Sequence, residues 1–257
     1  MNRKSYVGVG AVTNSKDANS LVREVAPTAS HLVQIGVMVD GKTLRGEPSA
    51  FPSQLPVSVS VADIFPSNSK ALNTIIYSFR DPELRAKKLA AELGLVQKIG
   101  GNRLHAVQLN TVWPPFEGVI EFKERHQLMQ IILQLNQVAL DSAGGSPLVV
   151  AKWLKKYKGA VDYVLFDPHE GHGHSLDAKE ARKYLAALKD LEVSLGVAAG
   201  FGPDPRTFDT AELLLEEFPG LSFFTQDSVC DGTGLLSLSK ATGYLKNAFA
   251  LLEGSVS

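Results

Sequence analysis

Met129-Gln130-Ile131-Ile132-Leu133-Gln134-Leu135-Asn136, a helical stretch opened by Ser146-Pro147 and running to 158, then Tyr163-Val164-Leu165-Phe166-Asp167 form the unit whose reading decides the fold. The two flanking segments are short, β-rich and apolar on both faces, with an amide or an acid at the end. A strand that is apolar on both faces must be covered on both faces, as in a parallel sheet packed between helices. Proline in the first helical turn after a capping serine is the expected start of the connecting helix.

The same alternation extends outward to both termini. Further strands are expected at 6–13, 32–40, 71–79, 104–110, 194–199 and 221–226, and further helices at 15–26, 82–93, 117–127, 178–191, 207–218 and 237–252. Asp81-Pro82 would open the helix at 82–93 and Gly94 would close it. Eight strand–helix units in 257 residues favour a closed barrel over an open sheet, so the expected fold is a single-domain (β/α)8 TIM barrel spanning 1–257. One unit breaks the pattern. The segment 41–66 shows no clear helix, holds Pro48, Pro52, Pro56 and Pro66, and alternates like a strand over Val57-Ser58-Val59-Ser60-Val61. It reads either as a functional lid or as a surface loop packed by Phe51 and Leu55.

Composition excludes several classes. Apolar residues make up 44% and charged residues 21%, with a formal net charge of −1. The basic residues are dispersed, without the basic stripe and interleaved aromatics that nucleic acid requires. No apolar stretch approaches a membrane span. Arg3-Lys4 precedes an apolar run that is short and contains Gly8 and Gly10, so it reads as the first strand rather than a signal peptide. Cys230 is the only cysteine, which rules out an internal disulfide and suggests a reducing, cytoplasmic setting.

In such a barrel the C-terminal strand ends converge on one mouth. Strands two, four, six and eight end at or next to Asp40, Asn110, Asp167 and Asp227; strands one, three and seven end at Thr13, Ser78 and Gly200. Either these acids face a common site or each caps the loop after its strand. Asp167 is the best candidate: if it points inward so do Tyr163 and Leu165, while Val164 and Phe166 face the helices. A carboxyl partly removed from water is suited to general acid catalysis near neutral pH. Asp227 or Asp40 would supply a second carboxylate. Val107-Gln108-Leu109-Asn110 echoes Leu133-Gln134-Leu135-Asn136, as though two neighbouring strands each send an amide to the mouth.

Two loops carry further signals. His169, His172 and His174 crowd a glycine-rich loop after strand six, which reads as a zinc site or as solvated chain. The spacing is not helical, so no metal and no cofactor are assigned. Ala199-Gly200-Phe201-Gly202-Pro203 and Asp227-Ser228, with Asp231-Gly232-Thr233-Gly234, would leave backbone N–H groups uncovered after strands seven and eight. Barrels often bind phosphate there, although Asp231 would repel it; the alternative is a pair of ordinary turns.

These residues, in this order, resemble phosphoribosylanthranilate isomerase. Ala106-Val107-Gln108-Leu109-Asn110 is similar to that family's Val-Gln-Leu-His-Gly, and Leu165-Phe166-Asp167 with Gly171-His172-Gly173 and Leu176-Asp177 to its Leu-Leu-Asp, Gly-Gly-Thr-Gly and Phe-Asp. Ala198-Ala199-Gly200-Phe201-Gly202-Pro203 is similar to Leu-Ala-Gly-Gly-Leu-x-Pro, and Gln226-Asp227-Ser228-Val229 stands at Ser-Ser-Gly-Val-Glu. The resemblance implies a barrel that isomerises a phosphorylated sugar derivative, with Asp167 as general acid, Gly200, Phe201, Gly202 and Ser228 as the phosphate grip, and Arg45 as the arginine after strand two. The family's strand-one cysteine base is absent from Tyr6-Val7-Gly8-Val9-Gly10-Ala11-Val12-Thr13, and Asn110 stands in place of its strand-four histidine. The expected function is therefore an isomerase or lyase on a small phosphorylated, sugar-like metabolite. Asp40 or Asp227 would replace the base, and Gln108, Asn110 and Asn136 would bind hydroxyls. The alternatives are an inactive barrel that binds such a ligand as sensor or scaffold, and a metal-dependent enzyme built on the three loop histidines.

Overall fold

The computed structural model describes residues 3–25, 30–47, 61–79, 85–168 and 175–254. Eight parallel strands close into a barrel in chain order: β1 (Ser5–Val9), β2 (His31–Asp40), β3 (Ala71–Ser78), β4 (Ala106–Asn110), β5 (Gln130–Asn136), β6 (Tyr163–Asp167), β7 (Ser194–Ala198) and β8 (Ser222–Thr225). The ring closes where Val7 to Val9 pair with Phe223 to Thr225. The fold is thus the expected TIM barrel. Around it stand α1 (Ser15–Val25), α2 (Gly41–Leu44), α3 (Val61–Ile64), α4 (Ala86–Gly100), α5 (Phe116–Arg125), α6 (Gln137–Ser142), α7 (Pro147–Leu154), α8 (Ala178–Leu188), α9 (Asp209–Leu215) and α10 (Leu238–Gly254).

Strand parity sorts the side chains into two cores. Tyr6, Leu72, Ile76, Ala106, Ile132, Tyr163, Leu165, Ala198 and Phe224 fill the barrel interior. Val164 and Phe166 belong to the larger layer between strands and helices, as their phase in β6 requires. Asp162, 5% exposed, lies one residue before β6 at the end opposite the mouth. It accepts from Lys123 Nζ at 2.7 Å, Arg3 at 3.0 Å and the Ile131 N–H at 2.8 Å. A buried carboxylate with two cations and a backbone donor is fully compensated, and at this face it serves stability.

Several local expectations are corrected. The helix after β3 passes through Gly94 and ends at Gly100, with Gly101 at φ +63°. Leu89, Leu93 and Val96 bury one face of that helix, which outweighs the roughly 1 kcal/mol cost of an interior glycine. Strand β1 stops at Val9 because Ala11 turns at φ +59°, so Thr13 is not a strand end. The segment after β2 holds one-turn helices at both ends, α2 and α3, and Val61 is helical rather than extended. The rest of that expected strand lies outside the described residues, as do Pro48, Phe51, Pro52, Leu55, Pro56 and Asp81-Pro82.

Candidate functional site

The site begins with what β1 lacks. Gly8 is in phase with Tyr6, on the interior face, and Gly10 comes two residues further on. A Cβ on Gly8 would stand 2.0 Å from Gln34 Oε1 and 2.8 Å from the Phe224 ring; one on Gly10 would stand 2.8 Å from Gln226 Oε1. Glutamines from β2 and from the end of β8 thus occupy the space that side chains of β1 would fill.

From Gln34 a chain of hydrogen bonds crosses the barrel. Gln34 Nε2 donates to Gln108 Oε1 at 2.8 Å, Gln108 Nε2 donates to Gln134 Oε1 at 2.8 Å, and Gln134 Nε2 donates to Asp167 Oδ2 at 2.6 Å. All four residues are buried, at 0–3% exposure. Asp167 therefore points inward from the last position of β6, in phase with Tyr163 and Leu165. The echoing glutamines of β4 and β5 do meet, but beneath the mouth, with the asparagines above them. Gln34 was missed from sequence, although it shares the phase of Asp40 in β2, as Gln108 shares that of Asn110.

At the strand ends, Asn136 Oδ1 caps α6 through the Ala139 N–H at 2.9 Å, and its Nδ2 lies 3.4 Å from Asn110 Oδ1. Asp40 Oδ1 caps α2, accepting from the Thr43 N–H at 2.7 Å and hydroxyl at 2.8 Å. Asp227 sits after Gln226 in a short 3-10 turn, with its Oδ1 3.5 Å from Gln226 Nε2. A capping role is thus real for Asp40 and Asn136, each at the start of the helix after its strand. Arg45 sits at the end of α2, 55% exposed, and pairs with Glu47 at 2.8 Å.

The two glycine-rich loops are adjacent: a Cβ on Gly202 would lie 4.0 Å from that of Ser228. The cradle is less open than expected, because the Gly202 N–H already donates to Thr207 Oγ1 at 3.1 Å. The Thr225 hydroxyl ties the loop down through the carbonyls of Ala199 at 3.2 Å and Phe201 at 2.8 Å. The Phe201 ring stacks on Phe208 and meets Phe223 edge-on, so Phe201 offers only its backbone. Asp231 closes its own turn by accepting from the Thr233 N–H and hydroxyl, which hold its carboxyl below the usual range.

Among the described residues no group of three or more histidines, cysteines or acids could hold a metal ion; His169, His172 and His174 lie outside them. No helix there is long and apolar enough to cross a membrane. A cavity of about 510 Å3 opens at the opposite end, lined by Arg3, Lys4, Ser5, His31 and Lys189 among others. Its central polar groups are already paired. Ser5 Oγ meets His31 Nδ1 at 2.7 Å, and Arg3 binds Asp162 and the Glu192 carbonyl. The mouth, where polar residues from many strands converge, is the better candidate despite that cavity's size.

No protein-family model and no curated protein matches this chain. Solved structures do. Phosphoribosylanthranilate isomerase from Thermus thermophilus is 15% identical with a TM-score of 0.62, over 97% of this chain and 98% of that one. A phosphoribosylanthranilate isomerase in complex with reduced 1-(o-carboxyphenylamino)-1-deoxyribulose 5-phosphate is 16% identical with a TM-score of 0.56, over 95% and 98%. Active domain 2 of a thermostable chitinase from Pyrococcus furiosus is 11% identical with a TM-score of 0.59, over 97% and 95%. The resemblance read from sequence thus holds as a likeness of fold, shared with barrels of other activity.

Proposed function

We propose that the chain is a cytoplasmic single-domain enzyme, an isomerase or lyase acting on a small phosphorylated, sugar-like metabolite, with Asp167 as its proton-transfer group. The observation that carries this reading is a buried carboxyl at the C-terminal end of β6, braced by a hydrogen bond of 2.6 Å from Gln134. A carboxyl fixed at a barrel mouth can exchange a proton with a bound ligand. Asp227 or Asp40 would be the second group, Asp40 already accepting two hydrogen bonds from Thr43 through one oxygen. Asn110 and Asn136 would offer amides to hydroxyls, and Gln108 would do so only by giving up its bond to Gln34 or Gln134. Gly200, the Phe201 backbone, Gly202 and Ser228 form the phosphate end, supported by the adjacency of the two loops and by the phosphorylated compound bound to a barrel of the same fold. Arg45, held by Glu47, would reach a ligand only by giving up that partner.

The test is a thermal-shift screen of pentose and hexose phosphates and inorganic phosphate. A ligand at a hundredfold excess over its dissociation constant stabilises by about 2.7 kcal/mol. The shift should vanish in Ser228→Leu. The ligand found should be turned over by the wild type and not by Asp167→Asn, which keeps an acceptor for Gln134 and so should fold normally. A screen without any phosphate-dependent shift would sink the reading, and so would turnover by Asp167→Asn.

A further inference from the structure

Three glutamines buried inside a barrel are costly unless each amide is paired, and here the pairing has a direction. In every link the N–H donor lies on the side away from Asp167 and the acceptor on the side toward it. The three amide dipoles therefore line up with their positive ends toward the carboxylate. The chain ends on β2 with an unsatisfied atom: Gln34 Oε1 is buried without a hydrogen-bond partner among the described residues, against Gly8 and the Phe224 ring. Reversing the chain would only exchange this orphaned acceptor for an orphaned Gln34 N–H donor in the same pocket. If every amide turned over by half a turn, Gln34 Oε1 would accept from Gln108 and the last link would become a donor from Asp167. That reversed chain requires a proton on Asp167. The observed direction suits a carboxylate that only accepts.

We infer that Gln34 is a positioning residue for Asp167. Acting through Gln108 and Gln134, it holds Asp167 as an acceptor, so that the proton affinity of an acid on β6 is set in part from β2. Hydrogen bonds donated to the charged form favour that form, and aligned amides strengthen one another. The inward residues of β5 are amides and Ile132, and those of β7 past Ser194 are Gly196 and Ala198. The acids at the mouth are Asp40 and Asp227, while His169, Glu170, His172 and His174 come after Asp167 in sequence. The inference concerns the same acid as the proposed function but requires no particular substrate.

The experiment is carboxyl 13C NMR on the full chain carrying labelled aspartate, with the Asp167 signal assigned by its loss in Asp167→Asn. Gln134→Met, which removes the direct donor, should raise the Asp167 titration midpoint by about one unit or more. Gln34→Met, which preserves volume, should raise it by a smaller amount through two intact residues. Gln34→Glu puts a carboxyl at each end of the chain, and the Asp167 curve should then become two-step, as for a coupled pair. A packing role for Gln34 alone would leave the Gln34→Met curve on that of the wild type. If Gln34→Met and Gln34→Glu both fold, by circular dichroism, and leave the Asp167 curve on that of the wild type, the inference is overturned. An unmoved curve in Gln134→Met overturns it as well. If Gln34→Glu does not fold, Gln34→Met decides alone. Turnover by Asp167→Asn would end the proposed function and leave these titrations standing.

Discussion

Replacing Gly8 with alanine is the sharpest probe of how β1 and the amide chain depend on each other. Gly8 lies in a regular strand, and its φ is not in the left-handed region. On backbone grounds alone, Gly→Ala at a compatible position stabilises by about 0.4–1 kcal/mol. Packing reverses the sign. The new Cβ would stand 2.0 Å from Gln34 Oε1, 3.0 Å from its Cδ and 2.8 Å from Phe224 Cδ2. Gln34 is fully buried and can retreat only by dropping its bond to Gln108. Leaving Gln108 Oε1 unsatisfied costs about 1–3 kcal/mol, and forcing an extra carbon into a packed core costs about 1–3 kcal/mol more. The expected loss is therefore about 2–6 kcal/mol, a large share of the roughly 5–15 kcal/mol that holds a domain folded. Urea unfolding would show it as a lower midpoint at unchanged slope. The control is the same change in a Gln34→Ala background. With the amide gone, only the Phe224 contact remains, and the two changes should couple by about 1–3 kcal/mol. Equal costs in both backgrounds, or a Gly8→Ala protein within about 0.5 kcal/mol of wild type, would refute this account of the interior.

Other perturbations test other parts of the structure. His105 Nδ1 accepts the Asn73 N–H at 3.0 Å, and burial lowers the imidazole below its ordinary 6.5 despite an opposing bond to Ala71. The unfolded chain therefore binds this proton first, and the stabilisation present above that value is lost as pH falls through it toward the folded pKa. Burial depresses His31 likewise, against Glu253. Urea midpoints taken between neutral and mildly acid pH should decline less in His105→Gln than in wild type; parallel declines would rule out His105 as a cause. Asp162→Ala should cost about 3–5 kcal/mol by stranding Lys123 and Arg3, read as a fall in melting temperature, and a loss under about 1 kcal/mol would show that the cations find water instead. Burial, with Asp227 and Asp231 adding to it, pushes the Cys230 thiol up to about 11. Native protein should therefore react with a thiol reagent on the order of a hundredfold more slowly than free cysteine, whereas the full rate in the native state would show the thiol to be accessible and activated.

The barrel was legible because each strand had to be apolar on both faces, and that requirement survives errors of a few residues at either end. The inward phase of Tyr163, Leu165 and Asp167 was legible for the same reason, since period two leaves only one alternative. What escaped the sequence depends on side-chain reach. Asn136 was read as a ligand-binding amide, but it is also the cap that starts α6, a helix the sequence reading omitted. Arg45 was read as facing a ligand, yet Glu47 stands two residues away and takes it. Gln34 was passed over inside an apolar run, because nothing local shows that its amide spans to β4.

The glycines of β1 link the readable and the unreadable parts. In the sequence they register only as a missing base, which weakens the resemblance. In the structure their bareness is filled: Gln34 and Phe224 stand against Gly8, and Gln226 against Gly10. A longer side chain at either position would therefore require removing an amide from β2 or from the end of β8 as well. If proton transfer is this barrel's chemistry, Asp167 on β6 would carry it, with the interior space beside β1 taken by amides from β2 and from the end of β8.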